Sequence, residues 1–80
     1  MEAELLDKAV DKVVTVRFYL NGTIEMLIRG KLIFQVTEIN YTPQFLIVNG
    51  PMGLSFQGKD VHKVTGFEQD NIVIALKNTH

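Results

Sequence analysis

Residues 24–36 read IEMLIRGKLIFQV, and their pattern determines which architecture the chain can adopt. Every second position is apolar or glycine: Ile24, Met26, Ile28, Gly30, Leu32, Phe34 and Val36. A period of two is typical of a strand with one inward face, and the β-branched content argues against a helix from Thr23 to Val36. Gly30 lies in the middle of the inward set, where a missing side chain permits a sharp bend. We therefore predict one long strand that turns a barrel corner at Gly30 and serves two sheets.

The preceding segment, residues 13–20, predicts a strand that forms a hairpin with this one. Its inward positions are apolar and its other positions are mixed: Val14, Val16, Phe18 and Leu20 against Val13, Thr15, Arg17 and Tyr19. The dipeptide Asn21-Gly22 that follows is the strongest short-range hairpin signal.

The loop length decides which side chains of the hairpin face each other. A two-residue loop would set Phe18 opposite Glu25 and bury a carboxylate. A three-residue loop over residues 20–22, with its glycine in the left-handed conformation, pairs Phe18 with Ile24 and Arg17 with Glu25. We predict the three-residue loop.

Residues 1–12 predict a short amphipathic helix. Apolar residues recur at spacings of three and four, and acidic residues lie in the first turn, where the helix dipole favours them. So short a helix is not stable alone in water, so we expect Leu5, Ala9 and Val10 to pack on the open end of the barrel.

The second half of the chain predicts three further strands. Phe45 to Val48 is the third, and the fourth starts at Met52 with inward positions Met52, Leu54 and Phe56, bends at Gly58, and resumes core contacts at Val61 and Val64. Ile72 to Leu76 is the fifth and is apolar on both faces. Such a strand either closes the barrel against the first strand or is covered by another subunit, which makes Val73 and Ile74 the predicted oligomer interface.

Composition fits one globular domain and narrows the function. The chain has 80 residues, 46% of them hydrophobic and 21% charged, a net charge of −1 and no cysteine. A strong basic excess, a disulfide framework and a thiolate metal site are therefore all excluded. The acidic start, and the lack of a long apolar run, predict a cytoplasmic protein without a membrane partner.

The residues that carry catalysis or bind metals are sparse. Ser55 is the single serine, and the two histidines are His62 and His80, so no catalytic triad is assembled. Asp60 and His62 give two metal ligands without a third. We predict a protein that is not an enzyme and has no metal or cofactor.

Two segments carry a resemblance to a known family. Leu6 to Val16, then Asn21-Gly22, then Arg29-Gly30-Lys31-Leu32, resemble the first half of the first motif of the Sm-like barrel proteins, which include the bacterial Hfq-type proteins. Ile39-Asn40-Tyr41 is similar to the end of that motif, and Phe56-Gln57-Gly58-Lys59-Asp60-Val61 is similar to the second motif. The predicted fold is mainly β: a small, strongly bent, five-stranded antiparallel barrel (Sm-like or SH3-like) over residues 13–77. The helix of residues 1–12 precedes it and a tail of residues 78–80 follows.

The resemblance implies a non-catalytic module that assembles into a homo-oligomer and binds RNA. Asn40 would hydrogen-bond a base edge, Tyr41 would stack on a base, and Gln57 with Lys59 would line the opposite wall. Lys59 and Lys63 would contact phosphates.

The sequence departs from the family in the spacing between Asn21-Gly22 and Gly30, which contains additional residues. It also departs at Val36, where an aspartate is usual, at Glu38, where an aromatic residue or histidine is frequent, and at Gln57, which replaces an arginine. The alternative hypothesis is a protein-binding or assembly barrel of a phage or accessory system, with no role in nucleic-acid binding.

Overall fold

The computed structural model describes residues 2–36 and 43–77. In chain order the elements are α1 (Glu2–Ala9), β1 (Val13–Leu20), β2 (Ile24–Val36), β3 (Pro43–Asn49), β4 (Met52–Phe56), a 3-10 turn (Gly58–Asp60), β5 (Val61–Thr65) and β6 (Val73–Leu76). The predicted mainly β chain with a short N-terminal helix is confirmed.

The strands form one mixed sheet in the order β4-β3-β2-β1-β6-β5. β6 runs parallel to β1, and all other neighbours are antiparallel. The predicted count of five antiparallel strands was wrong, because the fourth is interrupted by the 3-10 turn and the last pairs in parallel. Within the described residues the edge strands β4 and β5 form no ladder with each other. The sheet is open there, and barrel closure stays a prediction.

β2 is one continuous strand, as its pattern predicts. It has two partners in succession within a single sheet, whereas the prediction was that it serves two sheets. β1 pairs with its first part up to Lys31, and β3 pairs with its second part from Lys31 onwards. Next to this transfer, a Cβ on Gly30 would overlap the carbonyl oxygen of Val48 and lie 3.2 Å from Cγ2 of Ile47. The close approach of β3 therefore excludes a side chain at position 30.

The β1–β2 hairpin has a three-residue loop, but the loop is residues 21–23 rather than 20–22. Asn21 adopts a left-handed conformation (φ 55°) as well as Gly22 (φ 75°), and the N–H of Thr23 donates to the carbonyl of Leu20 at 3.2 Å. Phe18 therefore faces Met26 instead of the predicted Ile24. A shift of two residues leaves the same side chains on the inward face.

The core lies between one face of the sheet and α1. Its fully buried side chains are Leu32, Ile47, Ile74, Val14 and Val16. From α1, Leu6 and Ala9 are buried, whereas the predicted contacts Leu5 and Val10 are half-buried at the margin. The helix ends at Ala9 rather than at the predicted residue 12. After Ala9 the chain turns into β1, and Asp11 in this turn has a positive φ of 70°. No helix in the described residues is long and apolar enough to span a membrane.

Six predicted inward residues are exposed and lie outside this core. They are Leu20 (48%), Ile24 (53%), Met26 (38%), Phe34 (47%), Val36 (49%) and Met52 (61%). The ladder of β6 with β1 ends at Arg17, and the ladder of β3 with β2 starts at Lys31. The outer part of the hairpin, with Leu20, Ile24 and Met26, therefore has no neighbouring strand. Phe34 and Val36 lie beyond Lys31, where β1 stops pairing with β2, and Met52 begins the edge strand β4. The prediction of interior positions for these six residues was wrong.

Candidate functional site

A depression of about 280 Å³ lies beside the 3-10 turn. It is lined by Gln44, Ser55, Phe56, Gln57, Lys59 and Asp60. The turn is fixed by its own hydrogen bonds: the N–H of Gln57 donates to Oδ2 of Asp60 at 3.0 Å, and the N–H of Asp60 donates to the carbonyl of Gln57 at 2.9 Å. The N–H of Lys77 donates to the carbonyl of Asp60 at 2.8 Å, which ties the turn to the end of β6.

A second depression of about 220 Å³ adjoins the first. It is lined by Phe18, Tyr19, Ser55, Phe56, Asp60, Leu76 and Lys77. Three residues belong to both depressions, Ser55, Phe56 and Asp60, and we call the two together the turn groove. Phe56 is buried and contributes an apolar surface, while Lys59 and Lys77 are exposed and bring two cations to the groove.

Four cations lie on the outward face of the sheet, the face away from the core, which we call the cationic face. Arg17, Arg29, Lys31 and Lys63 are all exposed. Each occupies an outward position, because successive strand residues point to opposite faces and the neighbours Val16, Ile28, Leu32 and Val64 are buried in the core. These four are half of the chain's eight lysine and arginine residues.

The cations of this face are close together. Lys63 of β5 lies in one cross-strand row with Ala75 of β6 and Arg17 of β1. The backbones at Lys63 and Arg17 are two strand spacings apart, which is about 10 Å across the sheet. Arg29 lies diagonally from Arg17, because Arg17 pairs with Leu27, and this separation is about 7–8 Å.

The acidic residues lie elsewhere, so the small net charge hides a segregated distribution. Glu4, Asp7 and Asp11 belong to α1 and the connection after it, and Glu68 and Asp70 lie in the β5–β6 turn. Among the outward strand positions of β1, β2, β5 and β6, the single acid is Glu25. The true register places Glu25 opposite Tyr19 and Leu27 opposite Arg17, instead of the predicted pairing of Arg17 with Glu25.

The structure divides the residues predicted to bind RNA. Gln57 and Lys59 lie together in the turn groove, whereas Lys63 lies on the cationic face and lines neither depression. Asn40 and Tyr41 lie outside the described residues. Sequence reasoning missed Arg17, because the predicted register paired it with Glu25.

The predicted oligomer interface does not have the free strand edge on which it depended. β6 has β1 on one side and β5 on the other. Ile74 is 0% exposed within its own chain, and Val73 is half-buried between Thr15 and Thr65. The last strand therefore pairs with the first, but the barrel closure predicted with this pairing is not seen in the described residues, and Ile74 belongs to the core.

Reactive side chains are few in the described residues. Ser55 lines the turn groove, and His62 is exposed on β5 and does not line it. No three His, Asp or Glu side chains gather into a possible metal site in residues 2–36 and 43–77.

Comparisons of the chain with protein-family models, with curated proteins and with solved structures each give no match. The assignment of a function therefore depends on the geometry of this chain.

Proposed function

We propose that this chain is a non-catalytic, self-assembling Sm-like module that binds RNA, and that the cationic face is its principal contact with phosphates. The observation that carries the proposal is the charge segregation: four exposed cations share one sheet face, where Glu25 is the single acid among the outward strand positions. The Sm-like architecture is part of the proposal. The long β2, the N-terminal helix and the 3-10 turn agree with it, whereas the parallel pairing of β6 and the open sheet are departures.

Phosphate binding explains why such a face would exist. Like charges on neighbouring strand positions repel each other, so the face destabilises the free protein slightly. A polyanion offsets this repulsion and releases its condensed counterions when lysine and arginine neutralise its phosphates. The local potential of a face, rather than the net charge of −1, governs such an encounter.

The test is fluorescence anisotropy of a labelled single-stranded RNA, titrated with protein over a series of salt concentrations. We expect the affinity to fall as salt rises, with a slope of about −0.7 per neutralised phosphate. The double variant Arg17→Glu/Arg29→Glu should abolish binding. The control Lys8→Glu/Lys12→Glu has the same net charge but changes α1 and its following turn, and it should retain binding.

Equal loss of binding in both double variants would show that net charge alone acts, which contradicts the proposal. Salt-independent binding, or no anisotropy change at micromolar protein, would also contradict it.

A second candidate function is a protein-binding or assembly module. The observation that favours it is the outer part of the β1–β2 hairpin, where apolar side chains are exposed on both faces: Tyr19, Leu20, Ile24, Met26 and Leu27. Apolar surface of this kind marks an interaction site on a soluble protein. Association that is insensitive to salt, in a chain that does not bind RNA, would favour this candidate over the first.

A further inference from the structure

The geometry points to a single-stranded nucleic acid that passes from the cationic face around the end of β6 into the turn groove, with one base stacked on Tyr19. This inference rests on the proposed function and specifies the class of its ligand. It assigns binding roles to Tyr19 and Lys77, which lie far apart in the sequence.

Tyr19 belongs to both surfaces. It follows Arg17 by two residues on β1 and therefore occupies an outward position, and it also lines the turn groove together with Lys77. Its side chain is 38% exposed, so part of the ring is accessible to a base.

The sheet leaves a passage at this point. The ladder between β6 and β1 ends at the pair of Arg17 with Ala75, and β6 itself ends at Leu76. Beyond that pair, no strand of the described chain lies alongside Tyr19 on its β6 side. A ligand on the cationic face therefore reaches the turn groove without crossing a strand.

Both ends of the path offer suitable chemistry. Arg17 and Lys63 precede the passage, and Lys77 and Lys59 follow it, so cations recur along the whole path. The groove adds polar side chains from Gln44, Ser55 and Gln57 to the apolar surface of Phe56. It also contains one carboxylate, Asp60, whose Oδ2 accepts a hydrogen bond from the N–H of Gln57 and which lies between Lys59 and Lys77 along the path. Cations that follow a backbone, together with an aromatic ring that stacks on a base, are the elements of single-strand recognition.

The size of the molecule makes this path unfavourable for a duplex. The whole molecule measures 35 × 30 × 29 Å, so a path around the edge of its sheet turns within less than 35 Å. A DNA duplex has a persistence length of about 50 nm, and bending it around one edge of so small a domain is unfavourable. A single strand makes this turn readily.

The test compares one labelled single-stranded RNA with the same strand annealed to its complement, using the full chain. We expect the single strand to bind more tightly. Tyr19→Leu should weaken single-strand binding about 5- to 150-fold, the range for loss of one base–aromatic stack. The matched variant Tyr19→Phe keeps the ring and should retain wild-type affinity.

Lys77→Ala should weaken the single strand and leave the duplex unchanged, while Lys8→Ala on α1 should change neither. Thermal melting of each variant by circular dichroism checks that the fold is retained. If the duplex binds as tightly as the single strand, and binding depends on Arg17 and Arg29 but not on Tyr19 or Lys77, the path is overturned while the proposed function stands. If neither RNA binds, both fall together.

Discussion

A single position, Gly30, shows how closely β2 and β3 approach each other. A Cβ at this position would overlap the carbonyl oxygen of Val48, which is a backbone atom and cannot rotate away. We therefore expect Gly30→Ala to lower the free energy of unfolding by about 1–3 kcal/mol, since one strand has to move. For a domain of this size each kcal/mol lowers Tm by about 4–8 °C, which thermal denaturation followed by circular dichroism measures.

Gly53→Ala is the matched control for this prediction. A Cβ on Gly53 would lie 3.6 Å from the carbonyl oxygen of Ile47, an ordinary van der Waals contact. Gly53 is exposed, so Gly53→Ala should change the free energy of unfolding by no more than about 0.5 kcal/mol. Equal Tm values for the two alanine variants would contradict the steric argument.

The sequence predicts the place of Gly30 but not the reason for it. Its inward phase follows from the period of two, whereas the carbonyl that excludes a side chain comes from β3, which is remote in sequence. Asn21 is a similar case. Asparagine residues in general tolerate the left-handed conformation, but only the structure shows that Asn21 adopts it, and this places the start of the β1–β2 loop at Asn21.

Among the elements, the β1–β2 hairpin exposes apolar side chains on both faces of its outer part. Its outer part has two strands and no neighbour, and a two-stranded ribbon is marginal alone in water. Leu20 and Ile24 pair across one face, and Leu27 is 63% exposed on the other. Apolar groups on both faces favour a partner that encloses the tip.

Replacing Ile24 and Leu27 together by threonine tests the role of this hairpin. Threonine keeps the β propensity and removes apolar surface, so we expect unchanged Tm and a loss of self-association, measured by light scattering over a concentration series. Val13→Thr is the control, because Val13 is 56% exposed on β1 but lies at the other end of the ladder. A wild-type chain that stays monomeric throughout would count against assembly through the tip.

Elements with strong local patterns were predictable, and their ends were not. Residues 13–20 and 24–36 form strands as their period of two indicates. The exposure of Ile24 and Met26 depends on where β6 and β3 stop pairing, and that of Phe34 depends on where β1 stops pairing, which no local pattern encodes. The turn groove is a similar case, since Tyr19 and Lys77 line the same depression only because β6 lies beside β1.

For the whole molecule, the sheet order and the distribution of charge both arise from long-range pairing. An apolar fifth strand predicts burial, but nothing in residues 72–76 specifies that β6 runs parallel to β1. That pairing brings Lys63 of β5 into the row of Arg17 and completes the cationic face. A composition with nine acidic and eight basic residues gives no hint of this separation.

Charge segregation predicts opposite effects for two substitutions that remove the same charge. Arg29→Gln removes a cation from among cations, so we expect the free energy of unfolding to rise by a few tenths of a kcal/mol at low salt. Lys8→Gln removes a cation one helical turn after Glu4 and next to Asp7, so we expect a decrease of similar size. Urea denaturation at low ionic strength measures both. At 1 M salt the Debye length is about 3 Å, and the difference between the variants should largely disappear. Changes of the same sign at low salt would show that the two regions do not differ in potential, and the cationic face would then lose its physical basis.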